Sequence, residues 1–218
     1  MKMKYKGVIF DLDGTLVDTM EDIAASMNRA LKLHNFPELS AGEYKEKVGW
    51  GIERLAFLSL PDEERSLEIA AKVARDAARF YAEAPLEHSK PYPGIPELIS
   101  VLIGKKIKTA VLTNKPDIAA QKVIAGLFPQ GSFNYVRGEI FGGPRKPDPS
   151  CVWELLVELD LTPANVIFAG DSEIDMEIAL SAGCFPLGVS WGYRSSETIK
   201  NAGAKKIIEK PEELLDLF

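Results

Sequence analysis

Hydrophobic and polar positions along the chain divide it into three stretches of different period. Val8, Ile9 and Phe10 stand together behind Gly7 and run directly into Asp11. Such a short apolar run bounded by turn residues predicts a buried strand. From Asp18 the period becomes helical. Ile23, Met27, Ala30 and Leu31 share one face, which predicts a helix over 20–33, with Asp18 as N-cap and Glu21 closing a capping box. Glu43 to Val48 reads as a short helix stopped by Gly49-Trp50-Gly51, and Ile52, Leu55, Ala56 and Leu58 form another helical face that ends at Pro61. Leu67, Ala70, Ala71, Ala74, Ala78 and Tyr81 then lie on one stripe of a long helix. No strand pattern interrupts the stretch from Leu16 to His88.

Pro85, Pro91, Pro93 and Pro96 mark a stiff return linker. Beyond it, strands and helices alternate. Strands are expected at 107–112, 135–140, 166–169, 185–189 and 206–208. Helices are expected at 95–103, 116–127, 149–159, 174–182 and 211–217. This alternation predicts an α/β fold, a Rossmann-like doubly wound parallel sheet covered by helices on both faces. Residues 1–17 plus 89–218 would form the core, and residues 18–88 an inserted all-helical domain.

Composition narrows the class. The chain has 218 residues, 46% of them apolar and 27% charged, as expected of a soluble globular protein with one sizeable core. The net charge of −6 argues against a nucleic-acid partner. Lys2, Lys4 and Lys6 precede the first apolar run, but that run ends at Asp11, too early for a signal peptide or a membrane span. Cys151 and Cys184 are the only cysteines and lie far apart. That usage fits a reducing, cytoplasmic setting. Neither His34 nor His88 sits in a nucleophile context.

The candidate chemistry lies at strand ends. Asp11 and Asp13 follow the first strand, and an open α/β sheet binds its ligands at the carboxyl ends of its strands. Burying two carboxylates there without compensation is costly, so the pair calls for a hard cation. A calcium-binding EF-hand loop does not fit, because Gly14 comes too early and the closing position holds Asp22. Thr113 and Asn114 follow an apolar strand and precede a helix opened by Pro116. A hydroxyl there can bind a phosphate oxygen or simply cap the helix. Lys146, held between Arg145 and Pro147-Asp148-Pro149, offers a positive charge on a backbone stiffened by prolines. Asp171 ends another apolar strand, and Asp175 lies four residues on, where the helix dipole alone would also favour an acid.

The string Asp11-Leu12-Asp13-Gly14-Thr15-Leu16 behind an apolar strand resembles the first motif of the haloacid dehalogenase superfamily, most of whose members are phosphatases. Thr113, Lys146 and Asp171 stand in the order of that family's three further motifs, and Gly192-Tyr193-Arg194 after Trp191 resembles its phosphoglycolate phosphatase-like branch. In that branch a helical cap domain occupies the position of residues 18–88. The resemblance implies Asp11 as nucleophile through an aspartyl-phosphate and Asp13 as acid and then base. It implies Mg²⁺ held by Asp11, the backbone carbonyl of Asp13 and Asp171; Asp175 would orient the neighbourhood of Asp171 or reach the metal through water. Gly14, Thr113, Asn114 and Lys146 would hold the phosphate, and Arg54 beside the Gly49-Trp50-Gly51 turn would meet the rest of the substrate. The partner would be a small phosphorylated metabolite, most like phosphoglycolate. A sugar-phosphate or nucleotide phosphatase, a pyrophosphatase and a phosphoglucomutase-like enzyme share the same chemistry. A phosphonate-cleaving relative would draw on Lys45, Lys47 or Lys72, and a non-catalytic phosphate-binding regulatory module would have no need of Asp11 and Asp13.

Overall fold

The computed structural model describes residues 5–84 and 86–218. Lys2 and Lys4 of the N-terminal run and Pro85 of the linker lie outside the described residues. A six-stranded parallel sheet carries the fold. Its strands are β1 (Gly7–Phe10), β4 (Lys108–Pro116), β5 (Tyr135–Glu139), β6 (Val166–Gly170), β7 (Phe185–Val189) and β8 (Lys206–Ile208). Their order is β5-β4-β1-β6-β7-β8. Every residue of β1 and β6 is buried, because a central parallel strand is covered on both faces and therefore reads as an unbroken apolar run. Helices α5 (Ile95–Gly104), α6 (Asp117–Leu127), α7 (Ser150–Leu159) and α8 (Glu173–Ala182) follow β-strands or the return linker in the expected alternation, and α9 (Ser196–Asn201) precedes β8. Gly183 caps α8 in the left-handed conformation, and residues 211–217 close the chain as a 3₁₀ helix.

The sheet places the site. From β1 the strand order runs outward to β4 and β5 on one side and to β6, β7 and β8 on the other. The direction of winding therefore reverses at β1, and at such a switch point the two halves open a crevice beyond the strand ends. Asp11 leaves β1 at that crevice, Thr113 lies late in β4, and Asp171 follows β6 directly.

Four helices intervene between β1 and the return linker: α1 (Met20–Leu33), α2 (Ala41–Lys45), α3 (Ile52–Ser59) and α4 (Leu67–Glu83). Helix α1 packs along α4, and α4 packs along α3. One apolar core runs from the sheet into this layer, through Leu12, Leu16 and Met20 to Met27, Leu31, Val73 and Ala77.

Two expectations for this region are corrected. The helical stretch does begin and end in strand, because Val17–Asp18 (β2) pairs antiparallel with Lys90–Pro91 (β3). Two residues are too few for a period to register. The N-cap of α1 is Thr19 rather than Asp18, and no side chain caps it. The acid that matters there is Asp22, buried, whose carboxylate accepts the amides of His88 (2.9 Å) and Ser89 (2.8 Å) and the Ser89 hydroxyl. It fastens the exit from the helical segment to its entry.

Candidate active site

Asp11 is held by backbone on one side and by charge on the other. Its amide donates to the Ala169 carbonyl (2.9 Å), extending the β1–β6 ladder one step past the strand. Lys146 Nζ lies 2.8 Å from Asp11 Oδ1 and 2.7 Å from Asp175 Oδ1. Asp175 belongs to α8, where its second oxygen accepts the Ser172 amide (3.1 Å) and hydroxyl (2.6 Å) in a capping box. The same acid thus starts a helix and fixes the lysine. Asp171 accepts the Thr15 hydroxyl (3.0 Å) and the Tyr193 amide (2.7 Å). Its carboxylate nests against two glycines: a Cβ on Gly14 or on Gly192 would come within 2.4 Å or 2.5 Å of it. Gly14 also has φ +85°, so glycine is required there both by space and by backbone.

Asn114 makes the loop carrying Lys146 rigid. Its amide oxygen accepts the Lys146 amide (2.9 Å), and its NH₂ donates to the carbonyls of Lys146 (3.0 Å) and Gly49 (3.0 Å). The side chain expected on phosphate is engaged with backbone and joins the sheet to the helical segment. Thr113 is buried, and its hydroxyl accepts the Lys115 amide (3.2 Å).

The cluster is short of positive charge. Asp11, Asp171 and Asp175 are buried with carboxylate oxygens within 4.8 Å of one another, and Lys146 is the cation among them. Burial pushes the Asp11 carboxyl well above the usual carboxylate range, against the pull of Lys146. Burial and the neighbouring Asp175 push Asp171 up to about 7. Burial works against the Lys146 ammonium, yet Asp11 and Asp175 outweigh it and hold its proton more tightly than usual. Asp11 Oδ1 is buried with no hydrogen bond, the lysine lying outside hydrogen-bond geometry. Three buried carboxylates around one ammonium, offering oxygen donors only, fit a hard divalent cation.

Asp13 points elsewhere. Its carboxylate accepts from Lys115 Nζ (2.9 and 3.2 Å) and from the Thr19 hydroxyl (2.6 Å). Only its backbone carbonyl is left to contribute to a metal site. Lys115 is buried, and its ammonium lies 4.1 Å from the centre of the Tyr81 ring. Thr19 in turn meets the Tyr193 hydroxyl (3.2 Å).

A cavity of about 80 Å³ lies over these groups. Asp11, Asp13, Thr113, Lys146 and Asp171 line its floor. Ile23, Met27, Gly49, Gly51, Leu55 and Tyr81 line the side made by the helical segment. Arg54 does not reach it. Leu55, Ala56 and Ser59 take the inward face of α3, which turns Arg54 to solvent beside Phe57, 5.4 Å from that ring. Trp50 is 43% exposed and is also absent from the lining. A basic residue that does line it is Arg194, which pairs with Glu173 (3.1 Å) and donates to the carbonyls of Lys45, Glu46 and Val48.

Lys115, Tyr81, Thr15 and Thr19 belong to the site, although the sequence alone does not single them out as functional. Lys115 follows directly on Thr113-Asn114, yet its partner Asp13 lies 102 residues away in the chain, and no local period records such a contact.

A family model described as haloacid dehalogenase-like hydrolase matches residues 8–189. The chain is 33% identical to the phosphoglycolate phosphatase of Aquifex aeolicus, with 85% of each chain covered. It is also 33% identical to that of Rhodospirillum rubrum, with 94% of this chain and 87% of the relative covered. Among solved structures, a predicted phosphoglycolate phosphatase from Haemophilus somnus aligns with a TM-score of 0.89 at 28% identity, covering 100% of this chain and 99% of that one.

Proposed function

The chain belongs to the haloacid dehalogenase-like hydrolases, and we propose on that premise that it is a Mg²⁺-dependent phosphatase of a small phosphorylated acid, of the phosphoglycolate type. The observation that carries this reading is Asp11. It is a buried carboxylate at the switch point of the sheet, clustered with Asp171 and Asp175 and paired with Lys146 at 2.8 Å. The relatives named above act on phosphoglycolate by name, and the 80 Å³ cavity suits a short leaving group better than a nucleotide.

The residues divide the reaction. Asp11 attacks phosphorus, the bond to the ester oxygen breaks, and an aspartyl-phosphate forms. Asp13 gives its proton to the departing alkoxide, then takes one from the water that cleaves the acyl phosphate. Lys146, fixed by Asp175, keeps Asp11 aimed and draws charge from the phosphoryl oxygens. The Thr113 hydroxyl stands ready to donate to one of those oxygens. Asp11 and Asp171, with the Asp13 carbonyl, would hold Mg²⁺, and Asp175 acts through Lys146. Bound Mg²⁺ supplies positive charge that lowers the repulsion between carboxylate and phosphate.

Residues 18–88 act as a cap that excludes bulk water and selects the leaving group, on a core of residues 1–17 plus 89–218. Among the described residues no helix is long and apolar enough to cross a membrane. Cys151 and Cys184 are both free and buried, which supports a cytoplasmic setting.

The test is a panel of phosphate esters with purified protein and Mg²⁺. Phosphoglycolate is expected to give the highest kcat/KM. A hexose phosphate, nucleotide or pyrophosphate ahead by tenfold would remove the substrate class, and no release of phosphate from any ester would remove the phosphatase.

A further inference from the structure

The helical side of the cavity leaves one polar group without a partner. Tyr81, in the last turn of α4, is 5% exposed, lines the cavity, and makes no hydrogen bond through its hydroxyl. The Lys115 ammonium and the Ser89 hydroxyl approach it, but each is anchored first on a carboxylate, Lys115 on Asp13 and Ser89 on Asp22, and neither completes a well-formed hydrogen bond with the phenol. A buried hydroxyl left unsatisfied is destabilising. Such a group in a folded protein asks for a reason, and a ligand is one.

Its surroundings say which part of a ligand. Among the described residues, the helical segment brings two polar side chains to the lining, Ser26 and Tyr81. Ser26 already donates to the Ile23 carbonyl (3.0 Å). The phenol is therefore the side-chain donor left on that wall, and the groups around it are apolar or glycine. It also stands next to the acid–base pair. The Tyr81 ring covers Lys115, and Lys115 holds both oxygens of Asp13, the group that serves the leaving oxygen. Whatever lies beyond the ester oxygen is on this side of the cavity.

We propose that the Tyr81 hydroxyl donates a hydrogen bond to a carboxylate oxygen of the leaving group, with the Lys115 ammonium behind it. Tyr81 is then a specificity-determining residue, supplied by the helical segment, for the reaction proposed above. The inference rests on that reading. The selectivity role moves from Arg54, which faces solvent, to a phenol whose only missing contact is the one a short acid would make.

Tyr81→Phe keeps the ring on Lys115 and removes only the hydroxyl. For 2-phosphoglycolate, kcat/KM is expected to fall about tenfold, mainly through KM, as for loss of one hydrogen bond to a charged group. For phenyl phosphate, whose leaving group lacks a carboxylate, it should change by less than about twofold. The melting temperature of the free protein should hold or rise, since an unsatisfied group is gone. Equal losses on the two esters, or no loss on either, would overturn the inference and leave the phosphatase standing. A clear drop in melting temperature would overturn it too, by showing that the hydroxyl is already satisfied. Wild-type protein that cleaves phenyl phosphate but not phosphoglycolate removes the substrate class and this inference together; wild type that cleaves neither removes the phosphatase as well.

Discussion

The two walls of the cavity are built on opposite plans. The wall at the strand ends is dense with charge. Lys146 touches Asp11 and Asp175, Asp175 is pinned by Ser172, Asp171 by Thr15 and Tyr193, and the Lys146 backbone by Asn114. The wall from the helical segment is mostly apolar, and its one unspent side-chain donor is Tyr81. The difference teaches how the labour is split. Groups that meet developing charge must be pre-set, because reorganising them during the reaction would cost the rate they supply. Groups that choose a leaving group need only present the right contact once it is bound, so few suffice.

If that division is right, perturbing the charged wall should be severe. Asp11→Asn is expected to lower kcat by on the order of 10⁴-fold or more, because the nucleophile itself is lost. The melting temperature should not fall, since burial already disfavours the Asp11 charge. Turnover within tenfold of wild type would break the comparison at its root.

Next in size is the linkage between metal and pH. Asp171 titrates near 7 in the free protein, well above an ordinary carboxylate. A raised carboxyl contributes stability that is complete below its unfolded-state value near 4 and is lost as pH rises through 7. The metal-free protein should therefore lose this contribution between those limits, and a dication should restore it where the carboxylates are ionised. The rise in melting temperature on adding Mg²⁺ is expected to be larger at pH 8 than at pH 5.5, and excess chelator should stop turnover. An equal or reversed rise would show that the acids do not share a cation.

The smallest effect belongs to Arg54. Its side chain is exposed, so Arg54→Ala should move kcat/KM for phosphoglycolate less than about twofold and stability by no more than about 0.5 kcal/mol. A tenfold loss would mean that the reacting form has a different helical wall.

Much of the charged wall is legible in the amino-acid sequence. Two of its acids follow a run of apolar residues, and a parallel central strand writes that run plainly: Val8-Ile9-Phe10 before Asp11, and Val166 to Gly170 before Asp171. The helical wall is legible as helices but not as a surface. A period of 3.6 says which face is apolar and nothing about which polar tip ends up buried, so it does not rank Arg54 against Tyr81. Long-range pairs are equally silent. Asn114 reads as a phosphate ligand because its partners, Gly49 and the Lys146 backbone, lie 65 and 32 residues away. The Val17–Asp18 and Lys90–Pro91 ribbon is shorter than any period that could announce it.

That ribbon bears on how the chain assembles. β1 must find β4, and Gly7 pairs with Lys108 across the whole helical segment. Closing a flexible loop of about seventy residues would cost roughly 4 kcal/mol in chain entropy by the logarithmic length dependence alone. Once Asp18 pairs with Lys90 and Asp22 takes up the amides of His88 and Ser89, the two ends of the segment are neighbours. The sheet then sees a short connection in place of a long one. Helices α1 to α4 are then carried outside the ribbon, and only α5 remains between it and β4. A change of length within the segment is accordingly felt where the ribbon closes, at about 0.6 kcal/mol per doubling of the loop.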